Sequence, residues 1–159
     1  MLFRSEAGAE VQEGESDIAV SAESGAPRPE QEFFTMAWAE LVRSALEASE
    51  EFRRATSTWD GAFALGSGRD SVQFRIYKGR VLEAGARSPN GPQFTVGATE
   101  LHWAELFTGA QNDLMARAMK GQFVISGSAY EYLRMTKPLV ILVDVVRSML
   151  HAAPWWKRP

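Results

Sequence analysis

The sequence predicts an α+β domain, because the spacing of its apolar residues changes twice along the chain. Apolar residues recur every three or four positions over residues 36–54, alternate with polar residues over residues 60–97, and return to helical spacing after Thr99. The length of 159 residues is that of one domain with a tail. We therefore expect a helix, four strands, two helices, a fifth strand and further helices, in that order.

Residues 1–32 are predicted to form an acidic, disordered tail. They carry eight acidic residues against Arg4 and Arg28 and contain few large apolar side chains. Such a segment buries too little apolar surface to offset the conformational entropy that ordering would remove. The folded domain is then expected to span residues 33–152, followed by a short tail over residues 153–159.

A single helix is expected from the capping residue Thr35 to about Arg54. Its apolar residues recur at i, i+3, i+4 and i+7, which places them on one side of the helix. The residues of this stripe are Trp38, Leu41, Val42, Ala45, Leu46, Ser49 and Phe52. The charged residues between them are expected to face water.

Four short runs over residues 60–97 predict strands that form a meander. The run at residues 71–77 alternates apolar and polar side chains, which is typical of a half-buried antiparallel strand. Glycine-containing steps at residues 66–68 and 78–79 predict hairpin turns, and the Pro-Asn-Gly-Pro step at residues 89–92 predicts a wider turn.

The helical spacing after Thr99 predicts two helices before the fifth strand. Thr99 is expected to cap a helix that stops at Gly109, and Asn112 a second helix that stops at Gly121. The short apolar run Gln122–Ser126 predicts the fifth strand.

The C-terminal part predicts a short helix from Ser128 and a longer helix with Pro138 in its first turn. The longer helix has two apolar sides, and both are expected to be buried. The first side comprises Leu139, Leu142, Val143, Val146 and Leu150, and the second comprises Ile141, Val145 and Met149. Four alternatives stay open for the second side: the core, a partner subunit, a membrane surface or a lipid in a cavity.

The glycines of residues 121–133 do not predict a nucleotide site. A Walker loop has four residues between its glycines and a lysine directly after the second glycine. Gly121 and Gly127 are separated by five residues instead, and Ser128 follows them. We interpret Gly121 as the end of a helix and Gly127 as a sharp turn from a strand into the next helix.

No metal, cofactor or nucleic acid is predicted as a partner. The histidines, His102 and His151, lie far apart, and the chain has no cysteine. Beyond the acidic tail, the excess of basic residues is too small and scattered to indicate nucleic-acid binding. The chain has neither a long apolar run nor the apolar middle of a signal peptide. We therefore expect a soluble, cytoplasmic protein.

Asp144 interrupts the apolar last helix and has two interpretations. It either belongs to a polar stripe and pairs with Arg147 at i,i+3, or it is a buried acid that meets a ligand. One hypothesis is therefore an enzyme for an apolar substrate, with His102, Asp144 or Tyr130 as acid or base. No recognised nucleophile motif occurs in the chain.

Large, adaptable apolar side chains concentrate in the second half of the domain. They are Trp103, Phe107, Leu114, Met115, Met119, Phe123, Tyr130, Tyr132 and Met135. Methionine suits irregular and variable apolar surfaces, and a pocket with few polar groups is typical of a lipid site. Protein cores contain the same residue types, so both interpretations stay open.

Residues 99–135 resemble the second half of the sterol carrier protein type 2 domain. The resemblance lies in the order and glycine spacing of the segment from "TELHWAELFTG" to "GQFVISGSAYEYLRM". Its positions are Glu100, Trp103, Leu106, Gly109, Leu114, Met119, Gly121, Phe123, Ile125, Gly127 and Leu133. Together with the preceding strands and the first helix, the resemblance covers residues 34–150.

The resemblance implies a five-stranded, mainly antiparallel sheet that helices cover on one face, with an apolar cavity enclosed between them. It implies non-catalytic binding or transfer of a sterol, fatty acyl chain or similar lipid, without a cofactor. The residues expected to line the cavity are Trp38, Phe74, Trp103, Phe107, Leu114, Met115, Met119, Phe123, Leu142 and Val146. Ile125 is expected in the cavity wall beside Phe123.

Two departures from the family matter. Its peroxisomal members end in a Ser-Lys-Leu-like signal, whereas this chain ends in "WWKRP", so peroxisomal import is not expected. The last helix is also unusually apolar, which favours an alternative function as a homodimerising or partner-binding module through Ile141, Val145 and Met149. Trp155 and Trp156 would then adjoin that surface or touch a membrane transiently, since tryptophan favours the membrane interface.

Overall fold

A mixed sheet with helices on one face organises residues 33–86 and 89–152, which are the residues that the computed structural model describes. The strands are β1 (Asp60–Gly66), β2 (Ser71–Tyr77), β3 (Arg80–Gly85), β4 (Phe94–Gly97) and β5 (Val124–Gly127). The helices are α1 (Met36–Ala48), α2 (Glu50–Ala55), α3 (Glu100–Thr108), α4 (Leu114–Met119), α5 (Ala129–Arg134) and α6 (Thr136–Ala152). The predicted α+β class and the five-stranded sheet are confirmed. The predicted tails, with Trp155 and Trp156, lie outside the described residues.

The strand order across the sheet is β3-β2-β1-β4-β5. Three neighbouring pairs are antiparallel, whereas β1 and β4 pair parallel, with Phe63 opposite Phe94. The predicted four-stranded meander is therefore wrong for β4. The backbone N–H of Gln93 donates to the Ala62 carbonyl at 2.8 Å, and the Ala62 N–H donates to the Gln93 side chain at 2.7 Å. These two contacts fix the chain beside β1 just before β4 begins.

The helix predicted from Thr35 to Arg54 is two helices, because Ser49 leaves the helical conformation. Ser49 has φ −88° and ψ 109°, and its hydroxyl accepts the Phe52 backbone N–H at 3.1 Å. A serine followed by two glutamates is a typical helix start, and this local signal competes with continuation of α1. The new start directs Phe52 into the core, where the exposed fraction of this residue is 0%.

The predicted starts of the later helices are largely confirmed. Thr99 caps α3 and Ser128 caps α5 through side-chain hydrogen bonds. The N-cap of α4 is Asp113 rather than Asn112, although the Asn112 side chain accepts the Leu114 N–H at 3.3 Å. This start lies one residue beyond the predicted one, a displacement that is usual for helix ends.

Helix α6 contacts each of the other five helices. Its second apolar side is largely covered by the chain itself, because Ile141 is buried and Val145 and Met149 pack partly buried against the core. The core alternative therefore accounts for most of this side. Among the helices of the described ranges, none is long and apolar enough to cross a membrane.

The predicted ion pair between Asp144 and Arg147 is wrong, since each side chain binds another group. The exposed Asp144 carboxylate accepts the Asn112 side-chain amide at 2.8 Å. The Arg147 guanidinium donates to the carbonyl oxygens of Leu106 at 2.7 Å and Gly109 at 2.9 Å. These carbonyls lie at the end of α3, where the helix provides no partner for them. Arg147 therefore joins the end of α3 to α6.

Candidate functional site: an apolar cavity

An apolar cavity lies between the helices and the half of the sheet formed by β1, β4 and β5. Its lining comes from these strands, from α3 to α6 and from the segment just before β5. It consists of Leu65, Val96, Trp103, Leu114, Ala118, Phe123, Ile125, Tyr132, Leu139, Leu142 and Val143. The cavity volume open to a water-sized sphere is about 10 Å³, which is room for roughly one water molecule. The cavity is therefore nearly closed in this structure.

Trp103 is the largest side chain of the lining. The residue is 1% exposed, and its indole Nε1 donates to the Gly66 carbonyl at 2.7 Å. Its ring meets the Phe123 ring edge-on at 4.8 Å and stacks on the Phe107 ring at 5.5 Å, measured between centroids. Because the indole nitrogen is already bonded at the end of β1, Trp103 presents apolar surface to the cavity.

None of the described residues that line the cavity is charged. Among them, only Trp103 and Tyr132 carry polar side-chain atoms. Burial raises the pKa of Tyr132 above its usual value, so the hydroxyl is neutral at pH 7. Such a lining is typical of a site for an apolar ligand.

Comparison with solved structures identifies the architecture around this cavity. A crystal structure of sterol carrier protein 2 matches with a TM-score of 0.63 and 26% sequence identity, over 73% of this chain and 98% of that chain. The chain contains a sterol carrier protein 2-like domain. No family model matches the sequence, and no curated protein matches it.

Two further structures have the same fold as this sterol carrier protein 2-like domain. The solution structure of the conserved hypothetical protein TT1886 from Thermus thermophilus gives a TM-score of 0.60 and 25% identity, over 77% of this chain and 92% of that chain. The ubiquinone synthesis protein UbiJ-SCP2 gives a TM-score of 0.51 and 16% identity, over 76% and 96% of the two chains. At 16% identity the likeness concerns the fold alone. The resemblance noted in the sequence is confirmed.

The predicted ligand-binding residues of the sterol carrier protein 2-like domain fall into four locations. The cavity lining contains Trp103, Leu114, Phe123 and Leu142. A separate groove contains Trp38 and Val146. The core outside the cavity lining contains Phe74 and Phe107. The surface contains Met115 and Met119, which are 40% and 88% exposed.

The separate groove lies between the N-terminal half of α1 and the C-terminal half of α6. It encloses about 200 Å³ and is lined by Phe33, Ala37, Trp38, Leu41, Val146, Met149 and Leu150. Leu41 was expected in the buried stripe of the first helix, but the residue is 53% exposed at this groove. The groove shows that α1 and α6 do not close fully on one another.

Three residues of the strands line the cavity; Ile125 was expected in its wall from the sequence, whereas Leu65 and Val96 were not. Val96 lies opposite Leu65 on β1 and opposite Ile125 on β5, so all three point to the same face of the sheet. Alternation along each strand indicates which residues share a face. Only the pairing of β4 between β1 and β5 brings these three together, and sequence order did not predict that pairing.

The side chain of Arg117 attaches α4 to its neighbours beside the cavity. Its Nε donates to Asp113 at 2.8 Å, and its Nη1 donates to Glu105 and Gln122, each at 3.0 Å. The hydrogen bond from Arg117 holds the pKa of Asp113 below its usual value. Because Leu114 of the same helix lines the cavity, these bonds position one wall.

Acid is expected to weaken the attachment of α4. Since the pKa of Asp113 is lowered on folding, its contribution is fully present above the unfolded pKa of about 3.9 and is lost as the pH falls through the folded pKa. The free energy of unfolding should fall between about pH 7 and pH 3, and it should fall less in Asp113→Asn than in the parent. The difference should be below about 1 kcal/mol, because the Asp113–Arg117 pair is partly exposed. Urea titration at both pH values measures this. An equal reduction in Asp70→Asn, a change in an exposed loop, would contradict the assignment.

The candidates for acid–base chemistry lie outside the cavity lining. Asp144 is exposed on α6, and Tyr130 is 68% exposed, with the Arg134 guanidinium 5.9 Å from its ring centroid. His102 is half-buried on α3, and its Nδ1 is buried without a hydrogen-bond partner among the described residues. Within the described part of the chain, no group of three or more His, Cys, Asp or Glu residues could hold a metal ion.

Proposed function

We propose that this domain binds a sterol, fatty acyl chain or similar lipid in its internal cavity and carries it without catalysing a reaction. The main support for this proposal is a cavity whose described lining is apolar apart from two uncharged polar groups, within a sterol carrier protein 2-like fold. Burial of the lipid's apolar surface would favour binding by about 25 cal/mol for each Å². The translational and rotational entropy lost on association opposes this gain.

Binding requires the cavity to enlarge, since about 10 Å³ accommodates no lipid. The walls contributed by α4 and α5 are the best suited to move. Each is six residues long; α5 has no buried residue, and α4 has only Leu114. Elements with few buried apolar contacts open at the lowest free energy. By contrast, the strand residues Leu65 and Val96 are 1% and 3% exposed.

Filling the cavity should abolish uptake of the lipid. Ala118 lines the cavity from α4, whereas Ala116 of the same helix is exposed. We expect Ala118→Phe to weaken binding of the fluorescent fatty acid cis-parinaric acid by about tenfold or more, because the phenyl ring occupies the ligand's volume. Ala116→Phe is the matched control and should bind as the parent does. Fluorescence titration measures the affinities, and native mass spectrometry of the gently purified parent identifies copurifying lipid.

Two outcomes of this experiment would contradict different parts of the proposal. A parent chain that takes up no fatty acid or sterol and copurifies with no lipid contradicts the proposed function. Equal affinity in Ala118→Phe and Ala116→Phe contradicts the location of the ligand in this cavity. Circular dichroism of both variants establishes that each is folded before the affinities are compared.

A further inference from the structure

The two edge strands of the sheet, β3 and β5, differ in how their outward backbone groups are bonded. Native proteins protect such edges with charged residues, irregular pairing or a covering helix. Strand β3 carries Arg80 and Glu83 and pairs irregularly with β2. Side chains of α1 also bond its backbone, because the Val81 N–H donates to the Glu47 carboxylate at 2.5 Å and the Val81 carbonyl accepts the Arg43 guanidinium at 3.1 Å. The β3 edge is therefore protected.

Strand β5 has none of these protections. It contains no charged residue and no proline, and its register with β4 is regular. The Ser128 N–H donates to the Gln93 carbonyl at 2.8 Å just beyond the strand. Residues that bond the neighbouring antiparallel strand alternate with residues whose N–H and C=O point away from it. The backbone groups of Ile125 and Gly127 therefore point outward, and no described residue bonds them.

Exposed apolar side chains lie on β5 and on the short helices that precede and follow it. Val124 of the strand is 62% exposed, Met119 of α4 is 88% exposed, and Tyr130 and Leu133 of α5 are 68% and 65% exposed. Such side chains are normal when scattered singly, but a group of them marks an interaction site. A stable interface buries about 1,200–2,000 Å² in total, which is more than four paired residues supply. A partner on β5 would gain the rest from these side chains.

The charge pattern favours a second copy of this chain as the partner. Residues 121–130 contain no charged residue, and Lys120 precedes them whereas Glu131 follows them. When two identical strands pair antiparallel, the start of each lies beside the end of the other. Like charges therefore do not meet along the strand, and Lys120 of each copy lies on the side of Glu131 of the other. Lys120 is exposed and forms no ion pair with a described residue.

We propose that β5 pairs antiparallel with β5 of a second copy, with Ile125 of one copy opposite Ile125 of the other. The outward N–H of each Ile125 then donates to the carbonyl of the other, and the two five-stranded sheets become one continuous sheet. The pairing is two-fold symmetric, so it closes as a dimer. Because Ile125 lines the cavity, the two cavities would lie on either side of the symmetry axis. The pairing needs no lipid, so its test is independent of the proposed function.

The register predicts which side chains meet across the symmetry axis. Ile125 points into the cavity, so Val124 and Ser126 point to the sheet face without helices. In the proposed register, Val124 of each copy lies directly opposite Ser126 of the other. Charges introduced at these two positions therefore face each other in pairs, and like charges directly opposite destabilise paired strands.

Sedimentation equilibrium of the full chain measures the dissociation constant of the dimer. We expect a monomer–dimer equilibrium in the parent. The variant V124K/S126K places lysine opposite lysine twice and should raise the dissociation constant by about tenfold or more. The matched variant V124K/S126E changes the same positions but places lysine opposite glutamate, so it should dimerise about as tightly as the parent. Circular dichroism establishes that each variant is folded.

Hydrogen exchange followed by nuclear magnetic resonance identifies the strand that pairs. The Ile125 amide should gain protection only at concentrations at which the dimer forms, because its N–H finds a partner only there. The Ser126 amide, which faces β4, should be protected at every concentration. Exchange of an amide requires its hydrogen bond to open, so the contrast between these neighbours locates the new bond.

Leu82→Lys is the control for an added charge at the other edge of the sheet. Leu82 is 49% exposed on β3, and the variant should dimerise as the parent does. A parent that sediments as a monomer up to its highest soluble concentration overturns the proposal. Equal weakening by V124K/S126K and V124K/S126E overturns it, and so does equal weakening by Leu82→Lys. A dimer in which the Ile125 amide gains no protection overturns it as well.

Discussion

Trp103→Ala is expected to lower the free energy of unfolding by about 3–5 kcal/mol. The residue is 1% exposed, and its ring contacts the rings of Phe34, Phe107 and Phe123. Replacement by alanine removes these contacts and leaves a hole beside the existing cavity. Urea unfolding followed by circular dichroism measures the change, because the signal does not depend on the lost tryptophan.

Trp103→Phe separates the packing of the aromatic ring from the hydrogen bond of the indole N–H. Phenylalanine retains an aromatic ring but leaves the Gly66 carbonyl, which accepts the indole N–H at 2.7 Å, without that donor. The carbonyl still accepts the Ala98 backbone N–H at 3.1 Å, so the variant loses one hydrogen bond, which contributes about 0.5–1.5 kcal/mol. Its stability should therefore be intermediate between those of the parent and Trp103→Ala. If Trp103→Ala lowers the free energy of unfolding by less than about 1 kcal/mol, the packing of Trp103 does not stabilise the domain as expected.

Gly127→Ala is expected to destabilise the domain by about 3 kcal/mol or more. Gly127 has φ +91°, a conformation that alanine adopts with strain, and an added Cβ would lie 2.5 Å from the Gln93 carbonyl oxygen and 2.9 Å from the Phe94 Cα. Both contacts are with backbone, which cannot rotate away as a side chain does. The change should therefore displace β5 from β4 as well as strain the turn.

Gly121→Ala is the matched control for Gly127→Ala. Gly121 has φ +84°, but nothing lies within 4 Å of an added Cβ. Its substitution should therefore cost only the conformational strain, about 1 kcal/mol. Chemical denaturation of both variants measures the difference. Equal losses of stability in the two variants would show that the close approach of the backbone to Gly127 does not add to the cost of Gly127→Ala.

The sequence predicted the starts of helices correctly where a capping residue bonds a backbone group only a few positions away. Thr99 and Ser128 cap the helices that they were expected to cap, because a cap forms between residues only three positions apart. Ser49 carries a signal of the same kind. The sequence did not predict this second helix start, because the helical spacing of apolar residues continues past Ser49 to Phe52.

The cavity could be predicted only in part, because its walls depend on contacts between distant segments. Of the residues predicted to bind the ligand, Trp103, Leu114, Phe123 and Leu142 line it. Met119 has the same apolar character and lies in the same helix as Leu114, but is 88% exposed. On a helix of six residues, the spacing between apolar residues does not indicate which side faces the sheet. That side is determined by the neighbouring elements against which α4 packs.

The parallel pairing of β1 with β4 also determines when a cavity can exist during folding. Strands β1 to β3 are joined by short turns and can pair locally, whereas β4 must return to β1 across about thirty residues, which closes a larger loop. Strand β5 pairs only with β4, so it has no place in the sheet until β4 is seated. A chain arrested before that step has three strands and no cavity. Under the proposed function, ligand uptake would therefore report the completed domain rather than its early sheet.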